Sequence, residues 1–297
     1  MEPTENRRKW GDRRDGRKVR SLNGLNVVMG HIMPNRTDAE VFFQDEFDVT
    51  EMLEYIRQKN EAHPEYKTTI FHCIVFAVGK MINERPLMNR FIQGRRTYQR
   101  DEISLSFLAK RRFADGAEES LLIVVPKDED TLDTMSHRIY GDVRETRKKE
   151  HADDGLDNTI NVFAKIPMLL LMAVVKTARV LDFWGHNFKA FTEGDSNYAT
   201  VLFSNLGSIG CPSVYHHLNN YGTNSIMITV GAIHKAPKIM PDGSIEIRDV
   251  VDIGATLDER IADGFYFARS LKVVKYLLAN PERLNEPFSA ASGFTYE

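Results

Sequence analysis

The segment that decides the fold reads "LDERIADGFYFARSLKVVKYLLANPERL" and runs from Leu257 to Leu284. Gly264 marks a tight turn that follows the charged residues at its start. Beyond that turn, apolar side chains recur every three or four residues, at Phe267, Leu271, Val274 and Leu278. This spacing predicts a helix that packs one face against a core, and Pro281 ends the helix.

The rest of the chain alternates between helical and strand patterns. "VFFQDEFDVTEMLEYIRQKN" predicts a strand and then a helix, and "TTIFHCIVFAVGKMINERP" predicts a second helix. Short strands follow from Asn89 onward, then two helical stretches, and then further strands that lead to Leu257. No internal repeat or Pro-rich linker divides the sequence. We therefore expect one α+β domain, residues 21–297, with a mixed β-sheet covered by helices, and a flexible basic arm over residues 1–20.

The composition argues against several classes of partner and compartment. The 297 residues carry a formal charge of −3, and the pI is near 6.3. This balance predicts neither a nucleic-acid partner nor an anionic membrane surface. Two cysteines, Cys73 and Cys211, are too few for a disulfide framework, and the basic N-terminal residues lack the apolar run of a signal peptide. We expect a cytoplasmic location.

One apolar stretch, "IPMLLLMAVV" from Ile166 to Val175, requires its own interpretation. A bilayer span needs about 20 largely apolar residues, whereas Lys176 and Arg179 interrupt this run. The pattern favours a helix in the core or at a subunit interface. An apolar lid over an acyl substrate is the alternative.

Five segments then occur in an order that resembles one family. They are "FDVTEMLEYIRQ", "TTIFHCIVFAVGKMINERPLMNRFI", "LFSNLGSIG", "ITVGAIHKAP" and the segment that begins at Leu257. Together they resemble the catalytic domain of the 2-oxo acid dehydrogenase dihydrolipoyl acyltransferases, over about Ala39 to Leu284. The resemblance implies a chloramphenicol acetyltransferase-like fold and a homotrimer with its sites between subunits. Because no lipoyl or peripheral-subunit-binding domain precedes these segments, we do not expect the ordinary core of a dehydrogenase complex.

The resemblance also implies a chemistry and roles for individual residues. In the family, a histidine takes the proton of a coenzyme A or dihydrolipoamide thiol, and the thiolate attacks an acyl thioester. Ser204 would then stabilise the tetrahedral oxyanion, and Asn205 and Gly264 would line the coenzyme A-binding region. Asp263 would hold the motif loop through an ion pair with an arginine, for which Arg20 and Arg36 are the candidates. No spacing typical of metal ligands occurs in the chain, so no metal is expected.

Glu259 stands where the family has its histidine. A glutamate has a pKa of about 4.3 against about 6.5 for histidine, although burial raises a carboxyl pKa by up to about 3–5 units. Glu259 is therefore either an unusual base or a surface carboxylate paired with an arginine. His216 and His217, which follow the S-N-L-G segment, are the other candidates, and at most one of them should face the site on an extended chain. The alternative for that pair is one buried and one exposed ring, and His72 is expected to pack in the core.

Two functions remain open on the sequence. The first is an acyltransferase that moves an acyl group from a coenzyme A thioester to a small acceptor, with Ser204, Asp263 and one of the candidate bases. The second is a catalytically silent trimeric scaffold or regulator that keeps the fold. The replaced histidine favours the second function, and the retained S-N-L-G and Asp263-Gly264 favour the first.

Overall fold

A computed structural model of the chain describes residues 8–110, 119–148, 166–186, 192 and 194–296. The described strands are β1 (Gly16–Lys18), β2 (Glu40–Asp48), β3 (Arg90–Gln93), β4 (Arg96–Arg100), β5 (Leu105–Lys110), β6 (Glu119–Val124), β7 (Val201–Asn205), β8 (Ile226–Ile239) and β9 (Ile245–Asp258). The described α-helices are α1 (Gly24–Ile32), α2 (Thr50–Ala62), α3 (Ile70–Glu84), α4 (Leu132–Lys148), α5 (Met168–Phe183) and α6 (Gly264–Ala279).

The central sheet has six strands in the order β2-β9-β8-β7-β5-β6, and a smaller sheet has the order β1-β4-β3. In the central sheet, β7 runs parallel to both β5 and β8. The pairs β2–β9, β8–β9 and β5–β6 are antiparallel. The α+β architecture with a mixed sheet, predicted from the sequence, is confirmed.

Helix α3 is the centre of the helical layer that covers the sheet. Every residue from Phe71 to Ile82 in this helix is buried. Its first turn is capped by Thr69, whose side chain accepts a hydrogen bond from the His72 backbone N–H, and Pro86 follows its end. Helix α3 is buried on all sides because it lies between the sheet and neighbouring helices, and His72 and Lys80 are the polar residues in its buried stretch.

Helix α6 packs against α3, as the spacing of its apolar residues predicts. Phe267, Val274 and Leu278 are buried, and Leu271 is half-buried against the same core. Complete burial of such a side chain stabilises a fold by about 1.5–3 kcal/mol. This helix therefore ties the last strand of the sheet to the centre of the domain.

The prediction of a flexible N-terminal arm is wrong for the part of it that the structure describes. Residues Gly16–Lys18 form β1, which pairs with β4. The guanidinium of Arg13 is buried, forms ion pairs with Asp15 and Asp182, and lies 5.5 Å from the ring centroid of Phe91. The basic composition of this segment is typical of a solvated arm. The buried ion pairs of Arg13 nevertheless fix it against the rest of the fold.

The apolar run from Ile166 to Val175 is helical from Met168 onward, but it does not enter the core. In α5, Met168 is 75% exposed, Leu169 is 82% exposed and Met172 is 57% exposed. The interpretation as a core helix is therefore wrong, and the helix presents an apolar surface to solvent in the single chain. No helix among the described residues is long and apolar enough to cross a bilayer.

Candidate active site

A cleft of about 870 Å³ opens where β5 and β7 end. Parallel neighbouring strands end at the same edge of a sheet, which brings Leu108 and Ala109 of β5 close to Ser204 and Asn205 of β7. Ser204 is half-buried, and its hydroxyl makes no hydrogen bond with any other described residue. That hydroxyl can therefore donate a hydrogen bond to a ligand in the cleft.

The turn after Ser204 is fixed by close packing and by its own hydrogen bonds. The Asn205 side chain accepts a hydrogen bond from the Ser208 N–H at 3.2 Å, and the Ser208 hydroxyl donates to the Asn205 carbonyl at 2.8 Å. A Cβ atom on Gly207 would lie 2.4 Å from the carbonyl oxygen of Gly231 in β8. The S-N-L-G segment requires glycine here, and this packing sets the position of the Ser204 hydroxyl.

The walls of the cleft differ in chemistry. The apolar lining residues, called here the apolar wall, are Phe71, Phe107, Leu108, Ile139 and Val143. The cationic lining residues, called here the cationic wall, are Lys67, Arg144, Arg147 and Lys148. Helix α4 contributes residues to both walls. A long ligand with an apolar or thioester end and an anionic end matches this arrangement.

His72, which the sequence places in the core, also lines this cleft. It is 7% exposed, and its buried Nδ1 has no hydrogen-bond partner among the residues that the structure describes. Burial lowers the pKa of His72 to about 4, so the imidazole is neutral at neutral pH. The apolar residues on either side of His72 conceal this position in the sequence, and no local signal distinguishes it from a packed histidine.

Glu259 lies far from Ser204 within one chain. The register pairs Ser204 with Thr229 in β8, and Thr229 with Gly254 in β9. Glu259 is five residues beyond Gly254, which corresponds to about 16 Å along the strand at roughly 3.3 Å per residue. The two strand spacings add about 10 Å across the sheet, so the two side chains are on the order of 19 Å apart. A site that contains both residues requires two copies of the chain.

The Glu259 side chain is half-buried and is not paired with an arginine among the described residues, contrary to one of its two interpretations. Its backbone N–H donates to the Ala39 carbonyl at 2.9 Å. The next residue, Arg260, points into the protein and forms a two-point ion pair with Asp258, with N–O distances of 2.7 and 2.6 Å. Arg260 is therefore paired with Asp258, and the Glu259 carboxylate remains available to contact a ligand or a second copy of the chain.

Asp263 has a different role in this chain from the one the resemblance implies. Its carboxylate accepts a hydrogen bond from the Tyr266 N–H at 2.8 Å, which makes it the N-cap of α6. It forms no ion pair with Arg20, which pairs with Asp12, or with Arg36, which is buried elsewhere. The following Gly264 is exposed with open space around it and lies outside the Ser204 cleft. The expected Asp263–arginine ion pair is therefore wrong for the single chain.

His216 and His217 do not point to opposite faces. Both are exposed, and their rings stack with centroids 4.8 Å apart. The expectation that one ring is buried is wrong, as is the expectation of opposite orientations. The two residues lie in a loop that crosses the sheet towards β2, where the Leu218 N–H donates to the Glu40 side chain. Since Glu40 pairs with Asp258, the histidines lie at the Glu259 end of the sheet, and neither lines the Ser204 cleft.

One group of metal-ligating side chains occurs among the described residues, at Glu46, His234 and Asp252. It lies on strands β2, β8 and β9 and does not belong to the Ser204 cleft. The Glu46 carboxylate forms an ion pair with Lys238, which competes with a metal for the same oxygen atoms. Both cysteines are free, with Cys73 buried and Cys211 exposed.

Comparison with known proteins gives a consistent relationship. The family model for the catalytic domain of 2-oxoacid dehydrogenase acyltransferases matches residues 187–285. The lipoamide acyltransferase component of the branched-chain alpha-keto acid dehydrogenase complex of Bacillus subtilis is 26% identical over 238 residues, which is 78% of this chain and 45% of that protein. The chain therefore spans less than half the length of this curated relative.

Solved structures show the same fold. A probable dihydrolipoamide acetyltransferase from Listeria monocytogenes superposes with a TM-score of 0.58 and 18% identity, over 89% of this chain and 95% of that one. The cubic core of the pyruvate dehydrogenase multienzyme complex gives a TM-score of 0.59 at 14% identity, over 90% of this chain and 94% of that one. The chain therefore shares the fold of these structures, and residues 187–285 are similar in sequence to the acyltransferase catalytic domain of the 2-oxoacid dehydrogenases.

Proposed function

We propose that this domain transfers an acyl group between two thiols, one belonging to coenzyme A and the other to a dihydrolipoyl-type carrier or a similar small thiol. The observation that carries the proposal is the position of the Ser204 hydroxyl at the end of β7, in a cleft lined by both apolar and cationic side chains. The apolar wall suits the acyl chain and the thioester. The cationic wall suits the phosphates of coenzyme A, because Lys and Arg side chains form charge-assisted hydrogen bonds with phosphate oxygens.

In the proposed reaction, a base takes the proton of the attacking thiol, and the new carbon–sulfur bond forms at the thioester carbonyl. The carbonyl oxygen becomes an oxyanion, to which Ser204 donates a hydrogen bond. Collapse of the tetrahedral intermediate breaks the original carbon–sulfur bond, and the departing thiolate takes up the proton. Removing one donor to such an oxyanion typically slows turnover by about 10²–10³.

The base would come from a second copy of the chain. Within one chain, Glu259 is on the order of 19 Å from Ser204 by the strand register, so the two residues act together only across an interface. The same end of the sheet carries His216 and His217, and a neighbouring copy would present all three together. A homotrimer of the kind expected from the resemblance provides such an interface. Glu259 is the first candidate for the base, and the histidine pair is the second.

The test is an acetyl-transfer assay with acetyl-CoA and dihydrolipoamide, which follows the formation of free coenzyme A. Ser204→Ala should lower kcat by about 10²–10³, while Ser244→Ala, in an exposed turn, should match the wild type. Glu259→Gln should abolish transfer if Glu259 is the base, and Glu259→His should restore it. If Glu259→Gln keeps full activity, the His216→Ala and His217→Ala variants decide whether either ring is the base.

The replacement of the motif histidine by Glu259 favours a second candidate function, a trimeric scaffold that binds coenzyme A without catalysis. The same assay separates the two functions. Binding of coenzyme A with no turnover of any thiol acceptor would support the scaffold. Turnover that depends on Ser204 would reject it.

A further inference from the structure

A second cavity, of about 340 Å³, lies between the end of α5, the β3–β4 turn and the segment before β2. It shares no lining residue with the Ser204 cleft. Four arginines line it: Arg36, Arg95, Arg179 and Arg260. The only carboxylate among its described lining residues is that of Asp182.

The carboxylates near this cavity are already engaged by other cations. Asp182 accepts a hydrogen bond from Arg13 at 2.7 Å and another from the Gln93 amide at 2.5 Å. Asp258, which lies behind the cavity wall, is held by the two-point ion pair with Arg260. These contacts neutralise Arg13 and Arg260. Among the residues that the structure describes, no carboxylate forms an ion pair with Arg36, Arg95 or Arg179.

Arg36 is the most unusual of these cations, because it is 3% exposed and its hydrogen bonds go to neutral groups alone. Its two Nη atoms donate to the Ile92 carbonyl at 2.9 Å, the Gln93 side-chain oxygen at 3.1 Å and the Asn219 carbonyl at 3.3 Å. Burial lowers the pKa of the Arg36 guanidinium to about 10, so it is still charged at neutral pH. Asp258 and Asp182 attract this charge, but neither forms an ion pair with Arg36. A buried charge with no direct ion-pair partner is costly, and an anion in the adjoining cavity would compensate it.

Arg95 and Arg179 stand at the exposed side of the cavity, and neither forms an ion pair with a described residue. Arg95 has a positive φ of 62°, next to Gly94 in the β3–β4 turn. A Cβ atom on Gly94 would lie 2.0 Å from the carbonyl oxygen of Phe183, so the turn is packed directly against the end of α5. This contact holds the walls that carry Arg95 and Arg179 at a fixed separation.

We propose that this cavity binds a small molecule through a phosphate or carboxylate group, which takes Arg36 as its buried counter-ion and Arg95 and Arg179 as its outer contacts. Guanidinium groups suit both anions, because their planar N–H donors match two oxygen atoms at once. The volume lies at the lower end of the range for ligand pockets, so the ligand is compact. Arg260 directly follows Glu259, so a bound anion would lie beside the motif segment without belonging to the Ser204 cleft.

Isothermal titration calorimetry with inorganic phosphate and, separately, with succinate tests the proposal, at an ionic strength held constant with sodium chloride. The wild type should bind at least one probe saturably with one site per chain. Arg95→Ala and Arg179→Ala should each weaken this binding by roughly tenfold, the loss of one charge-assisted hydrogen bond. Lys176→Ala removes the same charge from α5 outside the cavity and should leave the affinity unchanged. The probe that binds shows whether phosphate or carboxylate is the recognised group.

Two further variants keep the test independent of folding and of the proposed acyl transfer. Arg36→Gln should abolish binding, and its circular dichroism spectrum establishes whether it is folded. Ser204→Ala should bind the probe as the wild type does, because the two sites share no residue. The proposal is overturned if neither probe binds saturably, if Arg95→Ala and Arg179→Ala bind as the wild type, or if Lys176→Ala weakens binding as much as they do.

Discussion

The ion pair between Asp258 and Arg260 offers a sharp test of how the motif segment is held. Both side chains are buried, with 0% and 2% exposure. Asp258 accepts from the Arg260 backbone N–H and from two of its guanidinium nitrogens, and the third guanidinium nitrogen donates to the Met33 carbonyl. Asp258→Asn keeps the shape of the side chain and removes its charge. Arg260 would then be a buried cation without a counter-ion.

Breaking a buried ion pair by removing one partner costs about 3–5 kcal/mol. We expect Asp258→Asn to lower the free energy of unfolding by this amount. The value should fall at the upper end, because the charge of Arg36 acts on the same region and would repel the unpaired Arg260. The double variant Asp258→Leu with Arg260→Met removes both charges and should recover most of the loss.

Urea denaturation of the wild type, Asp258→Leu, Arg260→Met and the double variant forms a double-mutant cycle that isolates the coupling energy, and Asp258→Asn is measured beside it. Glu61→Gln is the matched control: Glu61 pairs with Arg57 on the exposed face of α2, and its loss should cost less than about 1 kcal/mol. A loss below about 1 kcal/mol in Asp258→Asn would refute the argument that this pair holds the segment.

Three further predictions concern separate parts of the fold. The pKa of His72 is about 6.5 when unfolded and about 4 when folded, so the unfolded state takes up the proton first as the pH falls below 6.5. Stability should drop by roughly 2 kcal/mol between pH 7 and pH 5, and His72→Gln should reduce that drop when denaturation is measured at both pH values. Gly207→Ala should cost about 1–3 kcal/mol and lower acyl transfer, because its Cβ would press on β8, whereas Gly24→Ala, with open space around it, should do neither in the same two assays. Leu169→Glu should change the unfolding free energy by less than about 0.5 kcal/mol because α5 is exposed, whereas Leu277→Ala in the core should cost about 2–5 kcal/mol by urea denaturation.

Local patterns predicted the helices and the mixed sheet well, because helix α3 and helix α6 carry their signals within a few turns. The burial of Arg13 was missed, since its counter-ion Asp182 is 169 residues away and no local pattern connects them. The exposure of α5 was not predicted, because its local apolar pattern is the same as that of a buried helix. The sequence does not show which elements pack against it. The sequence does contain a signal for the capping role of Asp263, because an aspartate directly before a helix is a preferred N-cap.

The residues of the candidate site likewise fall into those that a local motif predicts and those that only the packing of the fold brings together. Ser204 was found because S-N-L-G is a contiguous motif whose position in the sheet follows from the strand it ends. The cationic lining residues of the cleft were not predicted, because three of them, Arg144, Arg147 and Lys148, lie on α4. The sequence of α4 indicates a polar helix but not which strand it packs beside. Adjacent residues such as His216 and His217 alternate only in regular strands, and their loop has no such regularity.

The pairing of the first and last strands of the central sheet has a consequence for synthesis. Glu40 pairs with Asp258, so 218 residues separate the partners, and β9 is the only described strand that pairs with β2. At translation rates of about 5–20 residues per second, β2 would wait roughly 11–44 s on the ribosome before its partner emerges. During that interval β2 has no strand partner among the described strands, so we expect the growing polypeptide to carry an unpaired strand edge until β9 emerges.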